Sequence, residues 1–210
     1  MDDKVEAYKK SRIALRYWLH GRGYDQALVA MEFAEQYHQG VRKDGITPES
    51  SHQVAIVSFL RTLIPHMRSP EDTLVAAFLH DVREDYDVDD ATIRSNFGSA
   101  VADAVEALTK VYRGIRKQPE EVFAAIAADP IASVVKPADR AHNMSTMLGA
   151  FTDRGVAHYI EETNELVLPA LKDAKRRFPS QEPIYENLKF VLTTQVAMAQ
   201  AFLGAGGAAK

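Results

Sequence analysis

The stretch AAFLHDVREDYDV, residues 76–88, begins as an apolar helix and then places a histidine and several acids in consecutive turns. On a helix, Glu84 lies one turn after His80 and Asp85 lies one turn after Asp81, so each acid stacks over its partner. The result is a patch of one imidazole and three carboxylates, whose mutual repulsion a bound cation would relieve. A helix that simply ends in solvent explains the same residues, so both interpretations stay open on this stretch alone.

A second polar stripe lies in VVKPADRAHNMSTM, residues 134–147. Asp139, Asn143 and Thr146 follow at i, i+4 and i+7, which places a carboxylate, an amide and a hydroxyl on one helical face. This spacing favours residues that line a binding site, although a solvent-exposed helix face is the alternative. Pro137 lies inside the segment and is expected to remove a helix hydrogen bond and to kink or restart the helix.

A third element, His52, stands at the head of the apolar helical segment 52–64, where an N-cap or surface histidine is the alternative interpretation. Two imidazoles and two carboxylates then become available to one divalent ion: His52, His80, Asp81 and Asp139. This mixed nitrogen and oxygen set suits Mn, Fe, Co or Zn better than Ca or Mg. The remaining acids, Glu84 and Asp85, are free to orient or deprotonate a water molecule for hydrolysis.

The apolar pattern around these residues is helical along almost the whole chain, as with Val57, Leu60 and Ile64. Ser69 followed by Pro70 and two acids predicts a helix start. Further helices are expected at 98–110, 119–128, 130–148, 153–177 and 183–203. Period-two alternation bounded by turn residues is nearly absent, so no strand is predicted. We therefore expect a single all-α domain.

The composition narrows the class of protein. The 210 residues are 46% hydrophobic and 26% charged, with a formal net charge of −4 and no cysteine. These values are typical of a globular protein, exclude disulfides and thiolate chemistry, and give no global attraction to nucleic acid or membrane. The N-terminus MDDKVEAYKKSR is charged and does not resemble a secretory signal, so we expect a cytoplasmic protein that binds neither nucleic acid nor membrane.

Six ordered blocks give these residues a family resemblance. The blocks are YHQGVRKDG (37–45), SSHQVAIV (50–57), AAFLHDVREDYDV (76–88), FGSAVADAVEALTKV (97–111), VVKPADRAHNMSTM (134–147) and YIEETNELVLPAL (159–171). In this order they resemble the hydrolase domain of RelA/SpoT homologues, and are most similar to the stand-alone small alarmone hydrolases of the HD phosphohydrolase superfamily. The resemblance implies an HD-type helical bundle with a central metal site. It also implies a hydrolase without the opposing synthetic activity, since no synthetase region fits in the remaining length.

The resemblance also implies a reaction and a role for each matching residue. The reaction is removal of the 3′-pyrophosphate from (p)ppGpp, giving GDP or GTP and pyrophosphate, with one divalent ion that is usually Mn²⁺. The implied ligands are His52, His80, Asp81 and Asp139; the water-activating pair is Glu84 and Asp85; the nucleotide contacts are Arg42, Lys43, Asn143 and Thr146. Arg42 would stack on the base and Lys43 would lie near phosphate. Three positions depart from the family pattern: Gln53, Pro137 and Ser145.

The expected organisation is an N-terminal helix at 1–23, the HD hydrolase domain at 24–177, a C-terminal helix at 178–203 packing on it, and a flexible tail at 204–210. Three alternatives in function stay open. The same chemistry can act on adenosine alarmones or on the 2′- or 3′-phosphate of nucleotides such as NADPH. A general nucleotidase of the HD type is a more distant enzyme alternative. The chain can also be a non-catalytic nucleotide-binding regulator or antitoxin.

Overall fold

The computed structural model describes residues 3–207, with side chains described through Gly204. The α-helices are α1 (Asp3–Arg22), α2 (Asp25–Tyr37), α3 (Ser51–Leu60), α4 (Pro70–Leu79), α5 (Val82–Tyr86), α6 (Asp90–Phe97), α7 (Ser99–Leu108), α8 (Pro119–Ala128), α9 (Ala132–Met147), α10 (Asp153–Glu162), α11 (Leu168–Arg177) and α12 (Glu182–Gly207). A π-helical segment, Thr163–Val167, joins α10 to α11, and short 3₁₀ turns span Ile64–His66 and Pro179–Gln181. The prediction of an all-α fold is confirmed.

Helix α4 is the centre of the bundle. It begins at Pro70 after Ser69, as predicted, because proline suits the first helical position and the two acids that follow favour the positive end of the helix dipole. Residues 73–79 are buried on every side of the helix, which is typical of a helix enclosed by others rather than of a surface helix. Helices α3 and α9 pack against α4 and against each other, so the three helices that carry the proposed ligands meet in one place.

The chain bends where the sequence predicts one continuous helix. Helix α4 ends at Leu79, His80 and Asp81 form a turn, and α5 begins at Val82. Asp87 then ends α5 in the left-handed region with a φ of 55°. His80 and Asp81 therefore lie in a turn between two helices, while the Asp85 N–H still donates to the Asp81 carbonyl at 2.9 Å, so that pair keeps its helical spacing.

Pro137 does not divide the segment that holds Asp139. Helix α9 runs uninterrupted from Ala132 to Met147 with Pro137 inside it. The expected restart of the helix at this proline is therefore wrong. Asp139, Asn143 and Thr146 consequently stay in helical register, as the sequence predicts.

A small hairpin is the exception to the all-helical pattern. Strand β1 (Val111–Tyr112) pairs antiparallel with β2 (Ile115–Arg116). Arg113 and Gly114 between them both have positive φ values, 49° and 80°, as type I′ hairpin turns require. The sequence analysis predicts no strand here, because two-residue strands are too short to show alternation. The guanidinium of Arg83 lies over the Tyr112 ring, 4.4 Å from its centroid, so the hairpin is anchored to α5.

The long helix α12 covers the back of α9. The fully buried Tyr185 hydroxyl lies 2.9 Å from Ser133 Oγ and accepts a hydrogen bond from Gln181 Nε2 at 2.8 Å. Helix α12 continues to Gly207, past residue 203 where the sequence predicts its end, and residues 208–210 of the predicted tail lie outside the described residues. Among residues 3–207 there is no helix both long and apolar enough to cross a membrane.

Candidate metal centre and nucleotide cavity

Four predicted ligands converge at the point where α3, α9 and the α4–α5 turn meet. The Asp81 Oδ2 atom lies 2.8 Å from His80 Nε2 and 3.8 Å from His52 Nε2, and the ligand atoms of these three residues all lie within 4.8 Å of one another. The Asp139 Oδ1 atom completes the group, 3.1 Å from His52 Nε2 and 3.7 Å from His80 Nε2. The structure thus forms a candidate divalent metal site from residues of three segments that span positions 52 to 139 of the chain.

The environment of His80 fits a metal ligand. Its Nδ1 lies 2.8 Å from the carbonyl oxygen of Ala77, which can only accept, so Nδ1 carries a proton, and in the neutral ring Nε2 then presents a lone pair. That Nε2 is buried and has no hydrogen-bond partner of acceptable geometry among the described residues. A buried acceptor without a partner is costly, and a cation at the meeting point of the four donors would satisfy it.

Asp139 is held from two further sides. Its Oδ2 accepts from Lys136 Nζ at 2.7 Å, and its Oδ1 accepts from Asn143 Nδ2 at 2.6 Å. Burial alone would raise the pKa of Asp139, but Lys136 and the imidazoles of His52 and His80 outweigh it and keep that pKa well below its ordinary value. Asp139 is therefore an oriented carboxylate in its charged form, as a ligand must be.

His142, which is not among the predicted site residues, lies against the proposed ligand His52. Its Nδ1 is 2.8 Å from Nδ1 of His52. Burial, together with the neighbouring His52 and Arg42, lowers the pKa of His142 to about 3. A sequence signal for this contact was present, since His142 lies three positions after Asp139 and therefore on the same side of α9.

The predicted water-activating pair splits between two surfaces. The Asp85 side chain faces a solvent-accessible cavity beside Asp81. Partial burial, together with the nearby carboxylates of Asp81, Glu84 and Glu49, raises the pKa of Asp85 to about 6. Glu84 faces a second cavity and its Oε2 accepts from the Lys110 backbone N–H at 2.9 Å. The two acids are thus near the metal site but in different surroundings.

The first cavity encloses about 350 Å³ and brings all four predicted nucleotide contacts to the metal site. Arg42 donates to Asn143 Oδ1 at 3.2 Å, and Lys43 Nζ lies 3.9 Å from the centroid of the Phe151 ring. Thr146 lines the same wall, with its hydroxyl donating to the backbone of α9.

The RKDG segment that carries two of these contacts is a structured turn. Arg42 N–H donates to the Thr47 carbonyl at 2.8 Å, and the Asp44 carboxylate accepts from the Thr47 N–H at 2.9 Å. Gly45 supports the turn with a φ of 72°, a conformation that glycine adopts without strain. The positions of Arg42 and Lys43 are therefore defined by the turn and not by a loose loop.

The second cavity, of about 340 Å³, adjoins the metal site through Asp139 and Asn143. Five cationic side chains line it: Lys110, Arg116, Lys117, Lys136 and Arg140. Lys110 Nζ lies 2.6 Å from Glu162 Oε1, and Arg140 pairs with the same carboxylate. Burial and the neighbouring Lys136 and Arg140 lower the pKa of Lys110 to about 7. The lysines and arginines that line the cavity outnumber its three acids, Glu84, Asp139 and Glu162.

Ion pairs and the hairpin complete the surroundings of the two cavities. Arg83 pairs with Glu106, and Arg140 pairs with Glu162. The hairpin brings Arg116 and the adjacent Lys117 to the second cavity. The aromatic walls of the first cavity, Phe151 and Tyr159, had no distinguishing sequence pattern.

Comparison with protein families identifies the fold that holds this site. A family model described as HD domain matches residues 30–166, which include α3, α4, α5 and α9. The chain belongs to the HD domain family. The matched region of the HD domain contains all four convergent ligand-type residues, Glu84 and Asp85, and the four predicted nucleotide contacts.

This HD domain is similar to segments of proteins with related names. It is 34% identical over 145 residues to a probable guanosine-3′,5′-bis(diphosphate) 3′-pyrophosphohydrolase of Synechocystis sp., covering 65% of this chain and 18% of that protein. It is 33% identical over 144 residues to a guanosine-3′,5′-bis(diphosphate) 3′-pyrophosphohydrolase of Vibrio cholerae, covering 65% and 20%. It is also 38% identical over 126 residues to a GTP pyrophosphokinase of Streptomyces antibioticus, covering 56% and 14%. The chain spans a fifth or less of the length of these relatives, and the matches confirm the resemblance to the hydrolase domain of RelA/SpoT homologues.

Proposed function

We propose that this HD domain is a metal-dependent (p)ppGpp 3′-pyrophosphohydrolase that releases pyrophosphate and GDP or GTP. The observation that carries the proposal is the convergence of two imidazoles and two carboxylates at the junction of a nucleoside-sized cavity and a cationic cavity. Two of the relatives are named for this reaction. The relative named a GTP pyrophosphokinase shares 14% of its length with this chain, so that name describes a protein that is mostly outside the match.

The proposed ligands are His52, His80, Asp81 and Asp139, and the proposed ion is Mn²⁺, which accepts both nitrogen and oxygen donors. A divalent ion held by these residues would supply Lewis-acid activation of water and of a phosphoryl oxygen. The orphaned Nε2 of His80 and the oriented carboxylate of Asp139 are the features of this chain that support such an ion. The family resemblance supports Mn²⁺ among the ions that this donor set suits.

Asp85 is the residue we assign to proton transfer from the attacking water. Its raised pKa of about 6 leaves it ionised at neutral pH and still basic enough to hold a proton, which is the range in which a general base works best. Glu84 is assigned to orienting water, since its carboxylate is fixed by the Lys110 backbone N–H.

Release of intact pyrophosphate requires that the bond between the ribose 3′-oxygen and its adjacent phosphorus breaks. Water supplies the new oxygen on phosphorus, and one proton of that water passes to Asp85. The leaving 3′-oxygen takes up a proton, and Asp85 gives up its own proton before the next turnover. The products are GDP or GTP and pyrophosphate.

The first cavity is the proposed nucleoside site. A planar guanidinium such as that of Arg42 can stack on a purine, and its hydrogen bond to Asn143 fixes the plane that it presents. Asn143 also donates to Asp139, so the same amide joins the nucleoside wall to the metal site. Lys43 and Thr146 are proposed to contact the phosphate and the nucleoside.

The second cavity is the proposed place for phosphate. A protein with a net charge of −4 needs a local excess of positive charge to hold a substrate with two diphosphate groups, and Lys110, Lys136 and Arg140 supply it beside Asp139. Arg140 Nη1 is buried without a hydrogen-bond partner among the described residues, so a phosphate oxygen would satisfy it.

The test is to incubate the purified protein with Mn²⁺ and ppGpp and to measure pyrophosphate and orthophosphate separately. We expect pyrophosphate from the wild type and none above background from Asp81→Asn. Equal release from both proteins contradicts the proposal, and orthophosphate in place of pyrophosphate contradicts the bond assignment. A parallel panel of adenosine alarmones, NADPH and simple monophosphates distinguishes the substrate alternatives. Tight nucleotide binding without turnover would favour a regulator.

A further inference from the structure

The two imidazoles of the metal site are positioned by different kinds of group. The Nδ1 of His80 faces the Ala77 carbonyl oxygen at 2.8 Å, which accepts and never donates, so the tautomer of His80 is fixed by its own helix. The Nδ1 of His52 faces no carbonyl at hydrogen-bonding distance among the described residues; it lies 2.8 Å from Nδ1 of His142. His142 therefore takes the place that a backbone carbonyl takes for His80.

Helix α9 holds the His52 ring at both nitrogens. Asp139 Oδ1 lies 3.1 Å from Nε2 of His52, and His142 Nδ1 lies 2.8 Å from its Nδ1. The two α9 residues are three positions apart, about one turn, so they project on the same side of the helix. The His52 side chain is buried between them and the His80 ring, whose centroid is 5.2 Å away.

The chemistry of two facing Nδ1 atoms sets a condition on both rings. A separation of 2.8 Å is a hydrogen bond, so one Nδ1 carries a proton and the other accepts it. When Nε2 of a neutral His52 binds an ion, its Nδ1 must carry the proton, and His142 Nδ1 must then be the acceptor. Metal-ligating histidines are almost always oriented by such a partner at the other nitrogen, and losing the partner typically lowers metal affinity 10- to 100-fold.

We propose that His142 is a positioning residue of the metal site, which accepts the Nδ1 proton of His52 and so holds Nε2 of His52 toward the ion. His142 acts through His52 and is not itself a ligand. The inference rests on the ligand role proposed for His52 and goes beyond the residues expected from the sequence.

Two amide substitutions separate the acceptor from the bulk of the side chain. In His142→Asn the amide oxygen stands at the δ position, where the ring nitrogen was, and can accept from His52. In His142→Gln the amide is one carbon further out, so polarity and size are retained but the acceptor leaves the δ position. His66→Gln is the matched control, because His66 is exposed in a 3₁₀ turn away from the site.

The experiment measures Mn²⁺ affinity of the purified full chain by isothermal titration, with the free ion confirmed by its electron paramagnetic resonance signal. We expect His142→Gln to weaken Mn²⁺ binding 10- to 100-fold, and His142→Asn and His66→Gln to stay within a few-fold of the wild type. Equal affinity of the Gln and wild-type proteins overturns the inference, and so does equal loss in the Asn and Gln proteins, which would indicate packing. Absence of Mn²⁺ binding by the wild type overturns both the inference and the proposed ligand set. Thermal melts in EDTA check that each variant is folded, and a loss of Mn²⁺ affinity in a folded His142→Asn protein would by itself contradict the inference.

Discussion

The proposed metal site leads to a prediction about stability that does not depend on catalysis. An ion that binds only the folded protein stabilises it by about 2.7 kcal/mol when present at 100 times its dissociation constant. For a chain of this size each kcal/mol shifts the melting temperature by roughly 2–4 °C, so Mn²⁺ should raise it by about 5–11 °C. If Asp81→Asn weakens binding 100-fold, the same Mn²⁺ concentration gives only about 0.4 kcal/mol, a shift of roughly 1–2 °C.

Asp81 is a better position for this test than Asp139. The Asp81 side chain is one third exposed, and its ion-pair partners among the described residues are the imidazoles of His52 and His80. Asp139 is buried and pairs with the buried Lys136, so its neutral variant would leave an uncompensated ammonium and cost about 3–5 kcal/mol before any metal is added. A Mn²⁺ effect could not be separated from that loss.

The assay is a pair of thermal melts, in EDTA and in Mn²⁺, followed by circular dichroism for each protein. Asp85→Asn is the control, because Asp85 lies in the first cavity but is not a proposed ligand. It should keep the Mn²⁺ shift of the wild type while losing pyrophosphate release. A full shift in Asp81→Asn would refute the ligand assignment, and loss of the shift in Asp85→Asn would refute the division of roles between the two acids.

Three further predictions concern other parts of the molecule. In EDTA, Asp85→Asn should be more stable than the wild type at pH 7 but not at pH 4, as measured by urea unfolding. The pKa of Asp85 in the folded protein, about 6, lies above the ordinary value of 3.8. The charge on Asp85 therefore opposes folding above pH 6 and is absent below pH 4. An equal difference at both pH values would contradict this cause. Tyr185→Phe should lower the free energy of unfolding by about 1–3 kcal/mol, because Ser133 and Gln181 lose a buried partner; an unchanged urea midpoint would exclude that loss. Lys110→Met should raise the KM for ppGpp in steady-state kinetics, since it removes a cation from the second cavity, and an unchanged KM would count against phosphate binding there.

The parts of the site that the sequence predicts correctly are those set by helical period. Asp139, Asn143 and Thr146 share one face of α9 because residues at i, i+4 and i+7 align on any α-helix. Burial of α4 on all sides follows equally from its continuous apolar run. Both features depend on local spacing, which a single sequence contains.

The features that the sequence misses depend on contacts between distant segments. The turn at His80 and Asp81 has no proline or glycine to mark it, and in the structure these two side chains lie beside His52 of α3 and Asp139 of α9. The contact between His142 and His52 joins residues 90 positions apart. The hairpin at 111–116 is held by Arg83 from α5, a pairing that no periodicity encodes.

Helix α12 shows why the site depends on more than the region matched by the family. The HD match ends at residue 166, whereas α12 begins at Glu182. Helix α9 supplies Asp139 and His142 on one side and packs against α12 on the other. There the hydroxyls of Tyr185 and Ser133 form a hydrogen bond, and Gln195 Nε2 donates to the Ala141 carbonyl at 2.9 Å. The ligand atoms meet within a few ångströms, so a small displacement of α9 would separate them, and catalytic groups tolerate errors of only about 0.5 Å. The position of α9, and with it the metal centre, is therefore fixed jointly by the HD helices in front of it and by α12 behind it.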